Sequence, residues 1–434
     1  MRKFIQKQIL ELIYTLWEGI EYAAYSQNSS AAVAVLQDCY LAIDAIDNTL
    51  KAHLSEERYS FYNNINSKIR SLIEALEDGI NKEDATNEAV EKLKEQIILL
   101  DNELFNEAEV KLEIVFMPYK ASMWDSLESI WLAAKADPSC ECYVVPIPYY
   151  DRNPDHSFSN YHYEGDKFPS EVPITHYKEY NVAIRKPDVI YIHNPYDNQN
   201  FVTSVDPNYY SYELKKHTDT LVYVPYYSTS GGMSQGQKIC SAYYHADYIV
   251  IQGEKFRGFF DPSIPQEKLI AMGSPKFDRV IRICNNPPEP PEAWKAKMEG
   301  KKVYFYNTSI SGMLGNTELF LKKMKYVFET FALHDDVCLL WRPHPLLETT
   351  FDTMRPQYKE IYSKLKRLFI EKNLGIYDDT PDITNTIAHC DAYIGDSGTS
   401  VVSLFGIAGK PVFILNNNIN TEPSEEDWRG DIIR

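Results

Sequence analysis

The chain has 434 residues, of which 44% are hydrophobic and 24% charged, and its formal net charge is −18. This length exceeds what a single hydrophobic core supports, so we expect more than one domain. The acidic balance argues against nucleic-acid binding, which needs a surplus of Lys and Arg on the contact face. No apolar run approaches the ~18 to 20 residues of a membrane-spanning helix.

The N-terminal stretch begins basic, but Gln, Glu and Gly interrupt it before an apolar core could act as a secretion signal. We therefore expect a cytoplasmic protein. The seven cysteines are scattered and lack paired C-x-x-C spacing, which is typical of reduced, buried thiols rather than of a zinc or redox site.

Residues 1–110 form an all-α helical N-terminal domain in our prediction, because apolar side chains such as Ile9 and Ile13 recur at helical spacing. Breaks divide this block into four helices, near residues 26–30, 53–55 and 79–81. We expect two antiparallel hairpins. Two interpretations stay open: a packing appendage, which the acidic faces favour, or a module for homo-oligomerisation or contact with a membrane surface.

Residues 111–284 alternate short β-branched or aromatic runs with helical stretches, which predicts a first Rossmann-like domain with a parallel sheet. The predicted strands are 113–117, 142–147, 189–193, 221–224, 248–252 and 269–272. Helices are predicted at 123–135 and 174–184.

A proline-rich stretch at 284–291 forbids helix and central strand and reads as a linker. After it the alternation restarts, which predicts a second Rossmann-like domain over 285–434 and a ligand cleft between the two domains. Its predicted strands are 303–307, 337–341, 375–377, 391–394 and 412–415, with helices at 316–333, 355–372, 382–389 and 400–408.

The segment from Ile394 to Ser400 reads IGDSGTS and joins a strand to a helix. Backbone N–H groups and hydroxyls at a helix N-terminus suit a phosphate or diphosphate, although simple capping of the helix is an equal alternative. The predicted donor-binding residues here are Asp396, Ser397, Gly398, Thr399 and Ser400.

Two further motifs lie at predicted strand ends. Arg342 and His344, in WRPHP, follow a buried strand; the first can hold a phosphate with a bidentate fork and the second can donate to a leaving-group oxygen. A surface loop with an incidental histidine is the alternative. Gly273–Asp278, GSPKFD, closes the first domain, where Lys276 can face an anionic ligand.

In this order, the motifs resemble those of the CDP-glycerol glycerophosphotransferase family of teichoic-acid biosynthesis, which has the GT-B fold. That family has a G-x-P-R/K-x-D turn, similar to residues 273–278, and an H-P after a strand, similar to His344 and Pro345. Its D-x-S-S turn and later K-P loosely match residues 396–399 and 410–411. The resemblance covers about residues 112–416.

The resemblance implies transfer of glycerol phosphate from CDP-glycerol, as donor substrate and without a further cofactor, to a hydroxyl of a polyol-phosphate or glycan acceptor. A lipid-linked primer, a teichoic-acid chain and a capsule stay open as acceptors. The resemblance also implies a peripheral location at the inner face of the cell membrane. The family carries a histidine as base in a W-H-G-T-like turn, but here that stretch has Tyr227 and Ser228, which cannot deprotonate an alcohol unaided. We predict His193 and Asp197 as substitutes, with His344, in the catalytic set; the alternative for His193, and the commoner role of a histidine at a strand end, is capping.

The acceptor side is predicted to include Tyr119, Lys120, Tyr227, Ser228, Gly231 and Gly232. No DxD metal motif is present, so we expect a metal-independent mechanism. Two other functions stay open. One is a nucleotide-sugar glycosyltransferase or 2-epimerase on the same fold, since the turn at Asp396 also resembles that of nucleotide-sugar 2-epimerases. The other is an inactive polymer-binding protein.

Overall fold

The structure is a computed structural model and describes residues 1–82, 87–153, 155–200, 202–228, 233–380, 382–415 and 432–433. A helical block is followed by two parallel α/β sheets, and a small antiparallel sheet accompanies the first. The predicted α/β class with a preceding all-α block is confirmed.

The helical block contains four long helices, as predicted from the apolar spacing. Their bounds are α1 Lys3–Tyr25, α2 Ser29–His53, α3 Glu56–Lys82 and α4 Asn87–Phe105. Each helix turns an apolar stripe inward, and Ile20, Leu36 and Leu100 are completely buried in the shared core. Asn28 caps α2 by accepting a hydrogen bond from the backbone N–H of Ala31.

Helix α2 is, by length and composition alone, apolar enough to cross a membrane, which the sequence analysis did not expect. In the structure its Leu36, Ile43 and Ile46 are buried against α1 and α3. A helix that contacts neighbours along its length needs a wide apolar face. Packing within the block accounts for part of this composition, because 28% of the apolar stretch is buried and Leu41 is 67% exposed.

The first parallel sheet has the strand order β2-β1-β5-β7-β8-β9. Its strands are β1 Leu112–Met117, β2 Cys140–Val144, β5 Val189–Ile192, β7 Thr220–Tyr223, β8 Tyr248–Ile251 and β9 Leu269–Ala271. The small antiparallel sheet, which the sequence did not predict, has the order β4-β3-β6. Its strands are β3 Tyr149–Arg152, β4 Phe158–His162 and β6 Thr203–Val205.

Most helices of this region are short. They are α5 Glu128–Ala136, α6 Val182–Arg185, α7 Ser211–Leu214, α8 Gln235–Lys238, α9 Ser241–His245 and α10 Pro275–Asn285. The helix predicted at 174–184 is wrong, apart from the single turn of α6. Ile174 instead forms a parallel bridge with Val144, and the backbone N–H of Thr175 donates to the carbonyl of Val144 at 2.9 Å, so this backbone pairs with a strand rather than with a helical turn.

The second parallel sheet has the order β12-β11-β10-β13-β14, with β15 antiparallel at the edge. Its strands are β10 Lys302–Thr308, β11 Val337–Pro343, β12 Ile376–Tyr377, β13 Ala392–Gly395, β14 Val412–Ile414 and β15 Ile432–Ile433. The helices are α11 Glu292–Met298, α12 Ile310–Gly315, α13 Thr317–Phe331, α14 Leu347–Met354, α15 Lys359–Glu371, α16 Ile383–Ala388 and α17 Val401–Ile407. This is the strand order of doubly wound nucleotide-binding sheets.

The helical block attaches to the amino-terminal edge of the first sheet. The backbone N–H of Lys3 donates to the carbonyl of Lys111 at 3.0 Å, just before β1 begins. Glu113, with no exposed surface, lies 2.7 Å from Arg2 of the block and 2.6 Å from Arg185. The block is therefore joined to the edge opposite the strand carboxyl ends, where parallel sheets bind ligands.

Helix α10 connects the two parallel sheets. It contacts α5 on one side and α16 and α17 on the other. Val280 of α10 is buried in the core beside the second sheet, so this helix before the predicted boundary at 284/285 already packs with the later part of the chain. The domain boundaries stay predictions.

Candidate functional site

The junction around α10 brings together residues that follow carboxyl ends of both sheets. Arg279 lies 3.3 Å from Glu128, at the start of α5, and 2.6 Å from Asp382, which precedes α16. Lys276 lies 2.7 Å from Asp125, after β1. The carboxyl edges of the two sheets therefore meet at α10, and Lys276, predicted to bind the donor, is ion-paired within this junction.

His193 follows β5 and is completely buried. Its Nε2 accepts a hydrogen bond of 3.1 Å from the backbone N–H of Tyr119. Its Nδ1 lies 3.1 Å from the hydroxyl of Ser126, which itself donates to the carbonyl of Met123, so Nδ1 carries the proton. Burial lowers the pKa of His193 to about 3. With both nitrogens occupied, His193 positions the loop after β1.

Asp197 also follows β5 and is also buried. Its backbone is left-handed, with φ of 47°, and the residue is 1% exposed. The carboxylate accepts hydrogen bonds of 2.8 and 2.6 Å from the backbone N–H and hydroxyl of Ser211, and one of 2.6 Å from the hydroxyl of Ser241. These contacts hold three chain segments together, and they leave the carboxylate facing protein.

Of the predicted acceptor residues, Tyr119 and Lys120 follow β1, and Tyr227 and Ser228 follow β7. Tyr119 is buried, and the ammonium of Lys120 lies 5.0 Å from the centre of the Tyr149 ring. Burial raises the pKa of Tyr227 to about 12. Ser228 is 8% exposed, and its hydroxyl has no hydrogen-bond partner in the described part of the chain.

Tyr227 and Ser228 thus lack the features of a general base at neutral pH. Gly231 and Gly232 lie outside the described residues.

The turns after β10 and β13 meet in the second sheet, where the strand order reverses. Asp396 accepts hydrogen bonds from the backbone N–H and hydroxyl of Ser309 at 3.0 and 2.7 Å, and it lies 3.5 Å from Lys323. A Cβ on Gly312 would lie 2.3 Å from the Asp396 carboxylate. Only glycine permits this approach of the two turns.

Asp396 therefore orients the adjoining turn rather than facing an anion. The hydroxyl of Ser311 donates to the carbonyl of Gly398 at 3.2 Å, which fixes the second turn against the first. Ser397 and Ser400 are exposed, whereas the hydroxyl of Thr399 accepts from the backbone N–H of Val401. The exposed groups on this turn suit an anionic ligand at the switch point of the sheet. Residues 309–312 were not among the predicted site residues, although a Ser- and Gly-rich turn directly after a strand is a signal for them in the sequence.

Arg342 is buried and directed into the protein. Its guanidinium lies 2.5 Å from the carboxylate of Asp378, which is 2% exposed, and donates to the carbonyl of Thr380 at 2.7 Å. Thr386 donates to the same carboxylate at 2.8 Å. Arg342 thus holds the turn after β12 in place, and its principal partner is a carboxylate of this chain rather than a ligand phosphate.

His344 is exposed at the end of β11. Its Nδ1 accepts a hydrogen bond from the backbone N–H of Leu346, so the proton of the neutral ring lies on Nε2. The protein around the ring lowers the pKa of His344 from its ordinary value. At neutral pH this side chain can therefore donate a hydrogen bond from Nε2 without carrying a charge.

A cavity of about 270 Å³ lies beside Arg342 and His344 at the ends of β11 and β12. Its wall includes Tyr377, whose ring has the ammonium of Lys366 4.9 Å from its centre. The hydroxyl of Tyr362 is buried at this wall without a hydrogen-bond partner in the described chain. This cavity was not predictable from local sequence patterns, because its lining comes from four separate elements.

Among the described residues, no group of three His, Cys, Asp or Glu side chains is arranged to hold a metal ion. Metal independence stays a prediction.

No family model and no curated protein sequence matches the chain. Solved structures with partial similarity include the UDP-GlcNAc 2-epimerase of Methanocaldococcus jannaschii, with 12% identity, a TM-score of 0.46, and coverage of 74% of this chain and 88% of that chain. The wall teichoic acid polymerase TagF has 13% identity, a TM-score of 0.39 and 82% coverage of both chains. At these low values the similarities assign neither a family nor an activity.

Proposed function

We propose that this protein is a GT-B-type transferase that moves glycerol phosphate from CDP-glycerol to a hydroxyl of a cell-wall or surface polymer. The observation that carries the proposal is the meeting of two turns at the switch point of the second sheet, held by Asp396 and Ser309. The ordered resemblance of residues 273–278, 344–345 and 396–411 to the glycerophosphotransferase family supports the choice of donor.

The donor would lie along the carboxyl edge of the second sheet. The cavity at β11 and β12 would take the base, with Tyr377 as an aromatic wall, and the exposed turn at Ser397 and Ser400 would take the diphosphate. From β12 to β13 the edge spans three strand spacings, or about 14 Å. An extended nucleoside diphosphate can bridge such a span.

In the proposed reaction the acceptor hydroxyl attacks the phosphorus that carries glycerol, and the bond from this phosphorus to the CMP oxygen breaks. Nε2–H of His344 would donate to the leaving phosphate. Because His193 is buried, we assign the acceptor proton to Asp125, at the first-sheet edge beside Lys276. An aspartate accepts the hydroxyl proton in kinase phosphoryl transfer.

A nucleotide-sugar glycosyltransferase or 2-epimerase is the second candidate. It is favoured by Tyr227 at the place where the glycerophosphotransferase family has its histidine, since a different acceptor chemistry does not need that base. The third candidate, an inactive polymer-binding protein, would keep the carboxyl edge of the second sheet but would catalyse no reaction. The nucleotide separates the first two candidates: cytidine favours the phosphotransferase and uridine the sugar enzyme.

Calorimetric titration with CDP-glycerol, CDP, UDP and UDP-N-acetylglucosamine tests the proposal. We expect saturable binding of the cytidine ligands, weakened by Gly312→Ala but not by Gly315→Ala, whose added Cβ meets nothing within 4 Å. Tighter binding of UDP and UDP-N-acetylglucosamine would instead support the nucleotide-sugar glycosyltransferase or 2-epimerase. Absence of binding by all four ligands would refute both enzyme functions.

A further inference from the structure

A second cavity, of about 510 Å³, lies on one face of the first parallel sheet, away from the nucleotide edge. Its floor is formed by alternate residues of four adjacent strands, among them Val189, Val222, Val250 and Ile270. Helix α5 contributes Ile130 and Ala133 to the wall, and Pro275 begins the second wall at α10. We call this recess the sheet-face groove.

The groove exists because the described part of the chain covers this apolar face incompletely. Strand residues alternate in direction, so Leu221 and Ile249 face the opposite side, where they are fully buried. Parallel sheets are apolar on both faces because helices normally cover both. Here the groove is bounded by α5 and α10, and Met272 at its mouth is 77% exposed while Tyr248 is 44% exposed.

The lining excludes a charged ligand inside the groove. It contains no Lys, Arg or His, and its one carboxylate, Asp278, already accepts a hydrogen bond of 2.7 Å from Ser129. The volume falls within the ~300 to 1,000 Å³ of small-molecule pockets, whereas a stable protein interface takes ~20 to 30 residues from each partner, more than line the groove. These features fit an uncharged hydrocarbon chain better than a nucleotide or a second protein.

The two ends of the groove give the chain a direction. Thr220 and Tyr248 begin their strands and mark the amino end, while Met272 and Ser274 mark the carboxyl edge beside α10. Ser274 brings a hydroxyl to the lining at the second end, while its carbonyl already accepts a hydrogen bond from the backbone N–H of Phe277. A molecule with its chain in the groove would therefore expose its head group at the edge where the two sheets meet.

We propose that the sheet-face groove binds the hydrocarbon chain of an uncharged or weakly polar amphiphile, with its head at the carboxyl edge of the first sheet. The groove shares no lining residue with the cavity at β11 and β12 or with the turn at Ser397 and Ser400, although residues 273–275 and 278 of the motif after β9 line it. Its occupancy can be measured without any nucleotide, so failure of the transferase proposal and failure of this one are distinguishable.

The probes are octyl, decyl and dodecyl maltoside, titrated below their micelle concentrations into the full chain and followed by calorimetry and native mass spectrometry. We expect one bound molecule and two- to four-fold tighter binding per added methylene, as burial of a chain against apolar protein predicts. Ala133→Trp places a large side chain in the groove and should weaken the binding of dodecyl maltoside at least ten-fold. Leu132→Trp, next to it on α5 but outside the lining, is the matched control and should leave binding within two-fold.

Met272→Glu gives an independent test at the mouth, where high exposure allows the charge without disturbing the core. We expect this substitution to weaken the binding of dodecyl maltoside at least ten-fold. Equal binding by wild type and Ala133→Trp, or no binding by wild type, would overturn the proposal. It would also be overturned if the wild type formed a dimer that Ala133→Trp dissociated, because a second copy would then cover the face.

Discussion

Replacing His193 with Gln tests whether this histidine titrates as an accessible base or stays neutral as a buried positioning residue. Gln retains an oxygen that can accept from the backbone N–H of Tyr119, but it has no ionisation near neutral pH. In the wild type, burial lowers the pKa of His193 to about 3, whereas the unfolded chain should show the ordinary value of about 6.5.

Acidification should lower the free energy of unfolding, because the unfolded chain takes up a proton at His193. As pH falls below about 6.5, the unfolded chain binds a proton at His193 and the folded chain does not, so the stability associated with neutral His193 is present above that pH and is lost below it. At about pH 5, the two pKa values give a loss of ~2 kcal/mol in the free energy of unfolding relative to about pH 7.5. The loss continues toward pH 3.

The assay is urea unfolding of wild type and His193→Gln at about pH 7.5 and 5, read by fluorescence and circular dichroism. Other titrating groups act equally in both proteins, so the difference between the two pH-dependent changes isolates His193. We expect the variant to be less stable at the higher pH but to lose ~2 kcal/mol less on acidification. An equal loss in both proteins would refute burial of a neutral His193 and restore it as a candidate base.

Three further changes test the second sheet. Arg342→Ala should cost about 3–5 kcal/mol in the free energy of unfolding, because it leaves the carboxylate of Asp378 buried without its ion pair; a thermal or urea midpoint close to wild type would contradict this assignment. Gly312→Ala should weaken CDP binding at least ~ten-fold in calorimetry, whereas Gly315→Ala should bind CDP as the wild type does. Equal CDP affinities of Gly312→Ala and the wild type would contradict a role of this turn in binding the ligand. His344→Ala should lower kcat about 100-fold with little change in nucleotide Kd. The wild-type pH–rate profile should place the ionisation of His344 below about 6.5, and a step above that value would contradict the neutral donor.

The sequence predicted the elements well because each depends on local periodicity. Apolar residues such as Ile9 and Ile13 repeat with the helical turn, and the core of α1 uses them as predicted. The strands of both parallel sheets also lie near their predicted positions, since short β-branched runs between helical stretches are a local pattern. The prediction of a helix at 174–184 was wrong where a long-range bridge to Val144 decided the backbone.

The roles of the polar side chains followed from contacts that local patterns do not contain. Arg342 carries the chemistry of a phosphate ligand, but its partner Asp378 is 36 residues away. His193 follows a strand as a catalytic histidine would, yet its Nε2 is occupied by a backbone group 74 residues away. Burial and hydrogen-bond partners, rather than residue type, determine whether such a group faces a ligand or the protein.

By itself, the sequence determined that the chain is an α-helical block followed by parallel α/β structure, with polar turns at strand ends. Only the tertiary structure decided which turns meet, which titratable groups are buried, and where one face of the first sheet is left open. The physical reason is that periodic apolar spacing is a property of neighbouring residues, whereas a cavity or a satisfied charge depends on segments that come together only when the chain folds.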